Sequence, residues 1–216
     1  MKKYDVIFFD LDGTLTNPER GLVSSFAYGL SKMGVSYGER SRLKKYIGPP
    51  LREIWQTDYG FSPEEAEEAV RLFREYFSVY GWWDNELYDG IHEMLMLIKA
   101  SGRRIALATS KPEIFAKKIL ALFDLTKYFD FVGGATNDKS RDQKWQVLEY
   151  GILSLGNPDR SGCILVGDRK YDAEGAQICG IDSIGVLYGH GSEEEVNSAG
   201  FTYVLKTPKD VAELLK

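Results

Sequence analysis

Hydrophobic and polar positions divide this chain into two kinds of segment. Continuous apolar runs, typical of strands buried on both faces of a sheet, occur at residues 6–9, 105–108, 164–166 and 183–187. Other segments place apolar residues three and four positions apart, which predicts amphipathic helices at 113–123, 143–155 and 210–215. Strands that alternate with helices indicate parallel βαβ units. We therefore expect an α/β fold with a doubly wound, Rossmann-like parallel sheet.

One region contains helical signals only. Between Pro18 and Trp83 the pattern predicts helices at 21–33 and 50–59, and a third helix that begins at a capping box from Ser62 to Glu65. We interpret residues 17–83 as an α-helical cap inserted into a catalytic core of residues 1–16 and 84–216. Because the insertion follows the first strand directly, its position favours a lid over an inert subdomain.

Carboxylates follow directly after two of the predicted strands. The string FFDLDGTLT carries Asp10 and Asp12, and the string GCILVGDRKYD carries Asp168 and Asp172. Ligands of open parallel sheets bind outside the carboxyl ends of the strands, so we expect these acids to share one site. Crowded carboxylates are unstable unless a hard divalent cation takes oxygen ligands from them. The sequence therefore predicts Mg²⁺ bound by Asp10, Asp12 and Asp168.

Hydroxyl and amine groups complete the predicted site. Thr109 and Ser110 end the second predicted strand, and Thr109, with the backbone N–H groups that follow, provides hydrogen-bond donors for a phosphate. Lys144 is the first candidate for the cation that pairs with this phosphate, with Lys139 and Lys111 as alternatives. Mg²⁺ usually keeps water ligands that exchange with phosphate, so the predicted ligand is a small phosphorylated metabolite.

The two N-terminal aspartates have different predicted roles. Asp10, ionised against the cation, attacks phosphorus and forms an aspartyl phosphate. Asp12, whose pKa is expected to be raised by its neighbour, protonates the leaving alcohol and later takes a proton from the attacking water. Gly13 then permits the tight turn that carries the chain onward. This division of roles predicts a magnesium-dependent phosphomonoesterase.

These motifs resemble those of the haloacid dehalogenase superfamily, and within it the phosphoglycolate phosphatase-like branch. The matching strings are DLDGTLT, LATS and GDRKYD, with Lys144 as the third motif. The resemblance implies that Asp12 binds the metal through its backbone carbonyl. It also implies that Asp172 is a supporting acid, which either binds the metal through water or holds Lys144. Ser110 stands where many relatives have asparagine.

Two substrate classes stay open at this point. The cap string IGPPL, residues 47–51, is similar to the substrate-facing loop of that branch and favours a phosphoglycolate-like substrate. A nucleoside 5′-monophosphate is the other class, because aromatic residues near the cap hinges can either stack a base or fill the cap core. These residues are Phe26, Tyr28, Trp55, Trp82 and Trp83.

The sequence argues against two other functions. A sugar phosphomutase of this superfamily carries a histidine soon after the first motif, and the corresponding string NPERGLVSSF has none. A non-catalytic phosphate-binding regulator is expected to have lost one of the acids, and all of them are present.

Composition and charge indicate which partners and which cellular location to expect. The net charge of −5 gives no basis for general attraction to nucleic acid or to an anionic membrane. The N-terminal apolar segment is too short for a secretion signal, and no run of about 18 apolar residues occurs elsewhere. Cys163 and Cys179 lie in apolar stretches without metal-ligand spacing, as expected for buried thiols in a reducing compartment. We therefore expect a cytoplasmic enzyme, with the oligomeric state left open.

Overall fold

The computed structural model describes residues 4–48, 51–136 and 140–216. The chain divides into two compact units. The core unit consists of Met1–Asn17 and Leu87–Lys216, and the helical unit consists of Pro18–Glu86. Pro49 and Pro50 of the string IGPPL, and the alternative lysine Lys139, lie outside the described residues. The lid role of the helical unit stays a prediction.

The strands of the described residues form two sheets. In chain order they are β1 (Val6–Phe9), β2 (Thr16–Asn17), β3 (Glu86–Leu87), β4 (Arg104–Pro112), β5 (Phe131–Ala135), β6 (Cys163–Gly167), β7 (Asp182–Val186) and β8 (Tyr203–Leu205). Six strands form the core sheet in the order β5-β4-β1-β6-β7-β8, and every neighbouring pair in it is parallel. This confirms the predicted α/β fold with a parallel sheet. β2 and β3 form a separate two-stranded sheet.

Helices surround the core sheet and make up most of the helical unit. The α-helices of the described residues are α1 (Glu19–Lys32), α2 (Leu51–Thr57), α3 (Pro63–Tyr76), α4 (Ile91–Ala100), α5 (Glu113–Leu122), α6 (Lys144–Ser154), α7 (Lys170–Cys179), α8 (Glu193–Ser198) and α9 (Pro208–Leu215). The first three lie in the helical unit and the other six in the core unit. Short 3₁₀ segments cover Arg40–Tyr46, Thr126–Tyr128 and Arg160–Gly162, and a π-helix covers Phe77–Gly81.

The buried apolar runs explain why the sheet forms where it does. All four residues of β1 are completely buried, because neighbouring strands and helices cover the strand on both sides. Phe8 belongs to an apolar cluster that also contains Leu165 of β6 and Val147 of α6. Burial of a side chain of this size stabilises the fold by about 2 kcal/mol. The cluster therefore fixes the central strands and, with them, the residues that follow at their carboxyl ends.

The helical unit has its own aromatic interior. The ring of Phe26 lies 5.4, 5.3 and 4.9 Å from the rings of Tyr46, Trp55 and Phe73. Phe26 and Trp55, two of the aromatic residues considered for base stacking, are thus part of this interior. Trp83 differs from them, since 51% of its surface is exposed. The predicted capping box is present at the start of α3, where the Ser62 hydroxyl accepts a hydrogen bond from the Glu65 N–H.

None of the helices in the described residues is both long enough and apolar enough to cross a bilayer.

Candidate active site

The candidate active site lies at the carboxyl ends of three adjacent strands of the core sheet. β1 is hydrogen-bonded to β4 on one side and to β6 on the other, with Phe9 opposite Leu107 and Val166. Asp10 and Asp168 follow directly after β1 and β6. The ligand oxygens of Asp10, Asp168 and Asp172 all lie within 4.8 Å of one another. The parallel register thus brings together acids that are far apart in the sequence.

Lys144 lies between two of these carboxylates. Its Nζ is 2.7 Å from Oδ1 of Asp10 and 2.8 Å from Oδ1 of Asp172, and it donates a hydrogen bond of 3.0 Å to the carbonyl oxygen of Ala108. Burial alone would lower the pKa of Lys144, but the two carboxylates outweigh burial and raise it. Lys144 is therefore a fixed, charged group of the site. The contact between Asp172 and Lys144 is compatible with one of the two roles expected for Asp172, and that role stays a prediction.

Asp168 is completely buried and is held by two donors from different loops. The backbone N–H of His190 donates to its Oδ2 at 2.7 Å, and the hydroxyl of Thr14 donates to its Oδ1 at 3.4 Å. Burial, followed by the charges of Asp172 and Asp10, raises the pKa of Asp168 well above its usual value. The protein itself thus leaves the negative charge of Asp168 poorly compensated.

Gly13 allows the loop after β1 to approach Asp168. Its φ of +84° lies in the left-handed region, as its predicted role in a tight turn requires. A Cβ atom at this position would also lie 2.2 Å from Oδ2 of Asp168. The glycine is therefore needed both for the turn and for the close approach of the two loops.

Asp12 pairs with a lysine of its own. Oδ2 of Asp12 is 2.7 Å from Nζ of Lys111, and the two side chains are 21% and 4% exposed. Oδ1 of Asp12 is buried and accepts no hydrogen bond within the described part of the chain. Burial is the main reason why the pKa of Asp12 is raised, the charge of Lys111 opposes the shift, and the charge of Asp10 adds to it. The neighbouring carboxylate, which the sequence suggested as the cause, is thus a smaller contribution.

The end of β4 places Thr109 and Ser110 differently. Thr109 is buried, and its hydroxyl accepts a hydrogen bond of 3.2 Å from the backbone N–H of Lys111. Ser110 is exposed between two buried residues. The phosphate contacts of both residues stay predictions. Lys111, an alternative partner for the phosphate in the sequence analysis, is instead paired with Asp12.

Sequence reasoning missed the loop after β7. Besides the His190 N–H on Asp168, this loop provides Tyr188, whose hydroxyl donates a hydrogen bond of 2.9 Å to the carbonyl oxygen of Thr14. The string YGHGS could have indicated that this loop belongs to the site, because it directly follows an apolar run that was predicted as a strand. Because β7 is the neighbour of β6, its carboxyl end also reaches the site.

The residues of this site fit a divalent cation. Four carboxylates, those of Asp10, Asp12, Asp168 and Asp172, lie together with the two ammonium groups of Lys111 and Lys144. All side chains in the cluster of candidate ligands are carboxylates, which are the hard oxygen donors that Mg²⁺ prefers. The buried oxygen Oδ1 of Asp12 also lacks a donor among the described residues.

The chain is similar in sequence to a protein family and to several individual proteins. Residues 7–186 match the family model described as haloacid dehalogenase-like hydrolase. A 5′-nucleotidase of Pseudomonas aeruginosa is 38% identical over 196 residues, which cover 91% of this chain and 88% of that protein. The tyrosine-protein kinase PtkA of Mycobacterium tuberculosis is also 38% identical, over 92% of this chain and 67% of its own length.

A solved structure and a relative of lower sequence identity also match this chain. A structure from Clostridium acetobutylicum, described as a predicted phosphatase, superposes with a TM-score of 0.93 at 38% identity and covers 98% of both chains. A phosphoglycolate phosphatase of Colwellia psychrerythraea is 25% identical over 100% of this chain and 99% of its own length.

Proposed function

The chain belongs to the haloacid dehalogenase-like hydrolase family and is a phosphatase, and we propose that it hydrolyses nucleoside 5′-monophosphates with Mg²⁺ through an aspartyl phosphate. One observation carries the mechanistic part of this proposal. The nucleophile candidate Asp10 shares a buried site with the acids Asp168 and Asp172 and with the ammonium group of Lys144.

In the first half of the reaction, a carboxylate oxygen of Asp10 attacks the substrate phosphorus. The bond between phosphorus and the leaving oxygen breaks, and Asp12 donates a proton to that oxygen, so that the alcohol leaves uncharged. Lys144 stabilises the negative charge that the carboxylate and phosphate oxygens share in the transition state. Burial favours the protonated form of Asp12 because it raises the pKa of that group.

In the second half, water attacks the phosphorus of the aspartyl phosphate. Asp12, deprotonated in the first half, takes a proton from this water, and the bond between phosphorus and Asp10 breaks. Inorganic phosphate is released and both aspartates return to their starting states. The same group thus serves as acid and then as base.

The residues that would hold Mg²⁺ are Asp10, Asp168 and the backbone carbonyl of Asp12. When bound, the ion neutralises charge on the phosphate and thereby lets an anionic carboxylate approach an anionic substrate. Lys144 remains the cation that the protein supplies itself.

The relatives favour a nucleotide over phosphoglycolate. The relative described as a 5′-nucleotidase is 38% identical, whereas the one described as a phosphoglycolate phosphatase is 25% identical. A phosphoglycolate-like substrate is therefore the second candidate.

A phosphate-release screen with Mg²⁺ tests this proposal. We expect the highest kcat/KM for a nucleoside 5′-monophosphate among nucleotides, phosphoglycolate, pyrophosphate, phosphotyrosine and sugar phosphates. ATP with a tyrosine peptide belongs in the panel because one relative is described as a tyrosine-protein kinase. Higher kcat/KM for phosphoglycolate would replace the proposed substrate class. Transfer of phosphate from ATP to the peptide without net phosphate release would overturn the hydrolase proposal.

The covalent step has a separate test. Borohydride reduces an acyl phosphate to an alcohol, so protein quenched during turnover and then reduced should contain homoserine at position 10. Peptide mass spectrometry detects this change. Only aspartate at position 10 in protein that shows a stoichiometric burst of alcohol release would rule out the aspartyl phosphate.

A further inference from the structure

We propose that Tyr188 is a positioning residue for Asp168: its hydroxyl ties the loop after β7 to the loop after β1 and thereby holds the His190 N–H against one oxygen of the Asp168 carboxylate. This inference rests on the proposed function, in which Asp168 is a Mg²⁺ ligand. Tyr188 acts on the site through Thr14 and His190, whose positions it fixes.

The hydrogen bond of the Tyr188 hydroxyl crosses from one loop to another. It donates at 2.9 Å to the carbonyl oxygen of Thr14, which is 174 residues away in the sequence. Thr14 is completely buried, and its own hydroxyl donates to Oδ1 of Asp168 at 3.4 Å. The Tyr188 hydroxyl is thus bonded to a residue that itself contacts Asp168.

The ring of Tyr188 has a separate packing partner. Its centroid lies 5.2 Å from that of Tyr88, and the two rings meet edge to face at 69°. The backbone N–H of Tyr88 donates to the carbonyl oxygen of Leu15, in the same loop as Thr14. Phenylalanine can make the same ring contact, so packing alone does not account for a tyrosine at position 188. The hydrogen bond to Thr14 is the feature that requires the hydroxyl.

Two glycines allow the backbone of His190 to reach Asp168. A Cβ atom on Gly189 would lie 2.4 Å from Cβ of Asp168 and 2.4 Å from the carbonyl oxygen of Gly13. A Cβ atom on Gly191 would lie 2.0 Å from the carbonyl oxygen of Asp168. The His190 N–H between these glycines donates to Oδ2 of Asp168 at 2.7 Å. A shift of this loop by about 1 Å would break that hydrogen bond.

The far end of the loop is held by a second contact. Oε1 of Glu195, in α8, lies 2.9 Å from Nε of Arg169 and accepts a hydrogen bond of 3.0 Å from the N–H of Lys170. His190 therefore lies between one anchor to the loop after β1 and another to the segment after β6. Loss of the Tyr188 hydroxyl releases the first anchor and leaves the second in place. We expect the loop to stay folded, with a less fixed position of the His190 N–H.

A carboxylate whose orientation varies binds a metal ion less tightly. Only molecules that have Asp168 in the binding orientation are competent, and the apparent dissociation constant rises as their fraction falls. An ion that is bound at saturating concentration holds the carboxylate itself. Tyr188 should therefore affect the affinity for Mg²⁺ and leave kcat at saturating Mg²⁺ nearly unchanged.

The position of the His190 N–H can be measured without metal. The chain contains two histidines, His92 and His190, so protein labelled with ¹⁵N-histidine gives two backbone amide signals. A hydrogen bond to a carboxylate moves an amide proton downfield, and Asp168→Asn, which removes the charge, identifies this signal. In Tyr188→Phe with a chelator, we expect the His190 proton to move upfield and to exchange with solvent roughly five times faster. The His92 signal should not change.

Calorimetric titration with Mg²⁺ is the second measurement. We expect Tyr188→Phe to raise the dissociation constant roughly fivefold and to change kcat at saturating Mg²⁺ by less than about twofold. Tyr150→Phe, which removes a hydroxyl at an exposed position of α6, is the matched control. It should leave both the His190 signal and the Mg²⁺ affinity unchanged.

The two measurements separate positioning from a general structural effect. An unchanged His190 signal in Tyr188→Phe would overturn the inference, and so would an altered signal with unchanged Mg²⁺ affinity. A shift of both histidine signals, or a large fall of kcat at saturating Mg²⁺, would indicate a general structural effect and would also overturn it. Failure of the wild-type protein to bind Mg²⁺ would instead refute the proposed function, while the chelator experiment would still decide whether Tyr188 positions the His190 N–H.

Discussion

The two ends of the core sheet treat carboxylates in opposite ways. At the amino end, Asp130 precedes β5; its two oxygens lie 2.7 and 2.6 Å from Nζ of Lys99, and one accepts a hydrogen bond of 2.8 Å from the Ile105 N–H. Burial alone would raise the pKa of Asp130, but Lys99 and the Ile105 N–H outweigh burial and lower it. At the carboxyl end, the pKa of Asp168 is raised by burial and by two other acids.

On the proposed function, this contrast separates a carboxylate that supports the fold from carboxylates that take part in the reaction. The donors around Asp130 are part of the protein, so its charge is compensated as soon as the chain folds. The acids at the carboxyl end outnumber the two lysines that contact them, and on the proposed function a divalent cation supplies further positive charge. Excess negative charge in a buried site costs folding free energy, and it also makes the affinity for a divalent ion high.

The largest effect is expected from removal of the nucleophile. Asp10→Asn should lower kcat by a factor of about 10³ or more, because the amide does not form the aspartyl phosphate. Phosphate release under saturating substrate measures it. Asp5→Asn, an exposed position just before β1, is the control and should retain wild-type kcat. Near-normal turnover of Asp10→Asn would remove the distinction between the two ends of the sheet.

Removal of Lys144 should have the next largest effect. Lys144→Met leaves Asp10 and Asp172 without their shared cation, and breaking a buried ion pair typically costs about 3 kcal/mol of unfolding free energy. Urea unfolding monitored by circular dichroism measures this loss. The loss should be smaller with Mg²⁺ than with a chelator, since the ion compensates part of the charge. An equal loss in both conditions would show that Lys144 does not share its partners with the metal.

Binding of Mg²⁺ should stabilise the wild-type protein and not the Asp168→Asn variant. At about 100 times the dissociation constant, a ligand adds about 2.7 kcal/mol to the unfolding free energy, which corresponds to a rise in Tm of roughly 5 to 10 °C. Differential scanning calorimetry with Mg²⁺ and with chelator checks this. Without metal, the variant should be at least as stable as wild type, because it lacks a charge that folding buries unfavourably. A Mg²⁺-dependent rise of Tm in the variant would contradict the role of Asp168.

The smallest effect is expected at the amino end. Asp130→Asn should cost about 1 kcal/mol at pH 7, since the side chain is one-third exposed and solvent weakens its interactions. The folded-state pKa of Asp130 is lowered, so its contribution is present above the unfolded-state pKa and is lost as the pH falls through the folded-state value. Unfolding curves of variant and wild type should therefore converge at acid pH, below about 4. kcat should be unchanged, and a large loss of kcat would place Asp130 in the catalytic machinery.

The elements that the sequence predicted correctly are those with a strong local signal. β1 has the predicted bounds because its apolar run has clear polar limits, and the start of α3 was predicted from its capping box. β5 was missed because the string FVGGA contains two glycines, which are poor strand formers. One of these, Gly134, is present because a bulge at the end of β4, between Thr109 and Pro112, leaves no space for a side chain. Such a requirement comes from a neighbouring strand and leaves no trace in the local pattern.

The sequence by itself determined the α/β fold, the family and the acids at the strand ends, because apolar periodicity and short motifs are local properties of the chain. Only the tertiary structure decided which charges meet. It paired Lys144 with Asp10 and Asp172, paired Lys111 with Asp12, and brought the His190 N–H to Asp168. These contacts depend on strand order and register, which bring distant residues within 3 Å of each other. No spacing along the chain encodes such distances.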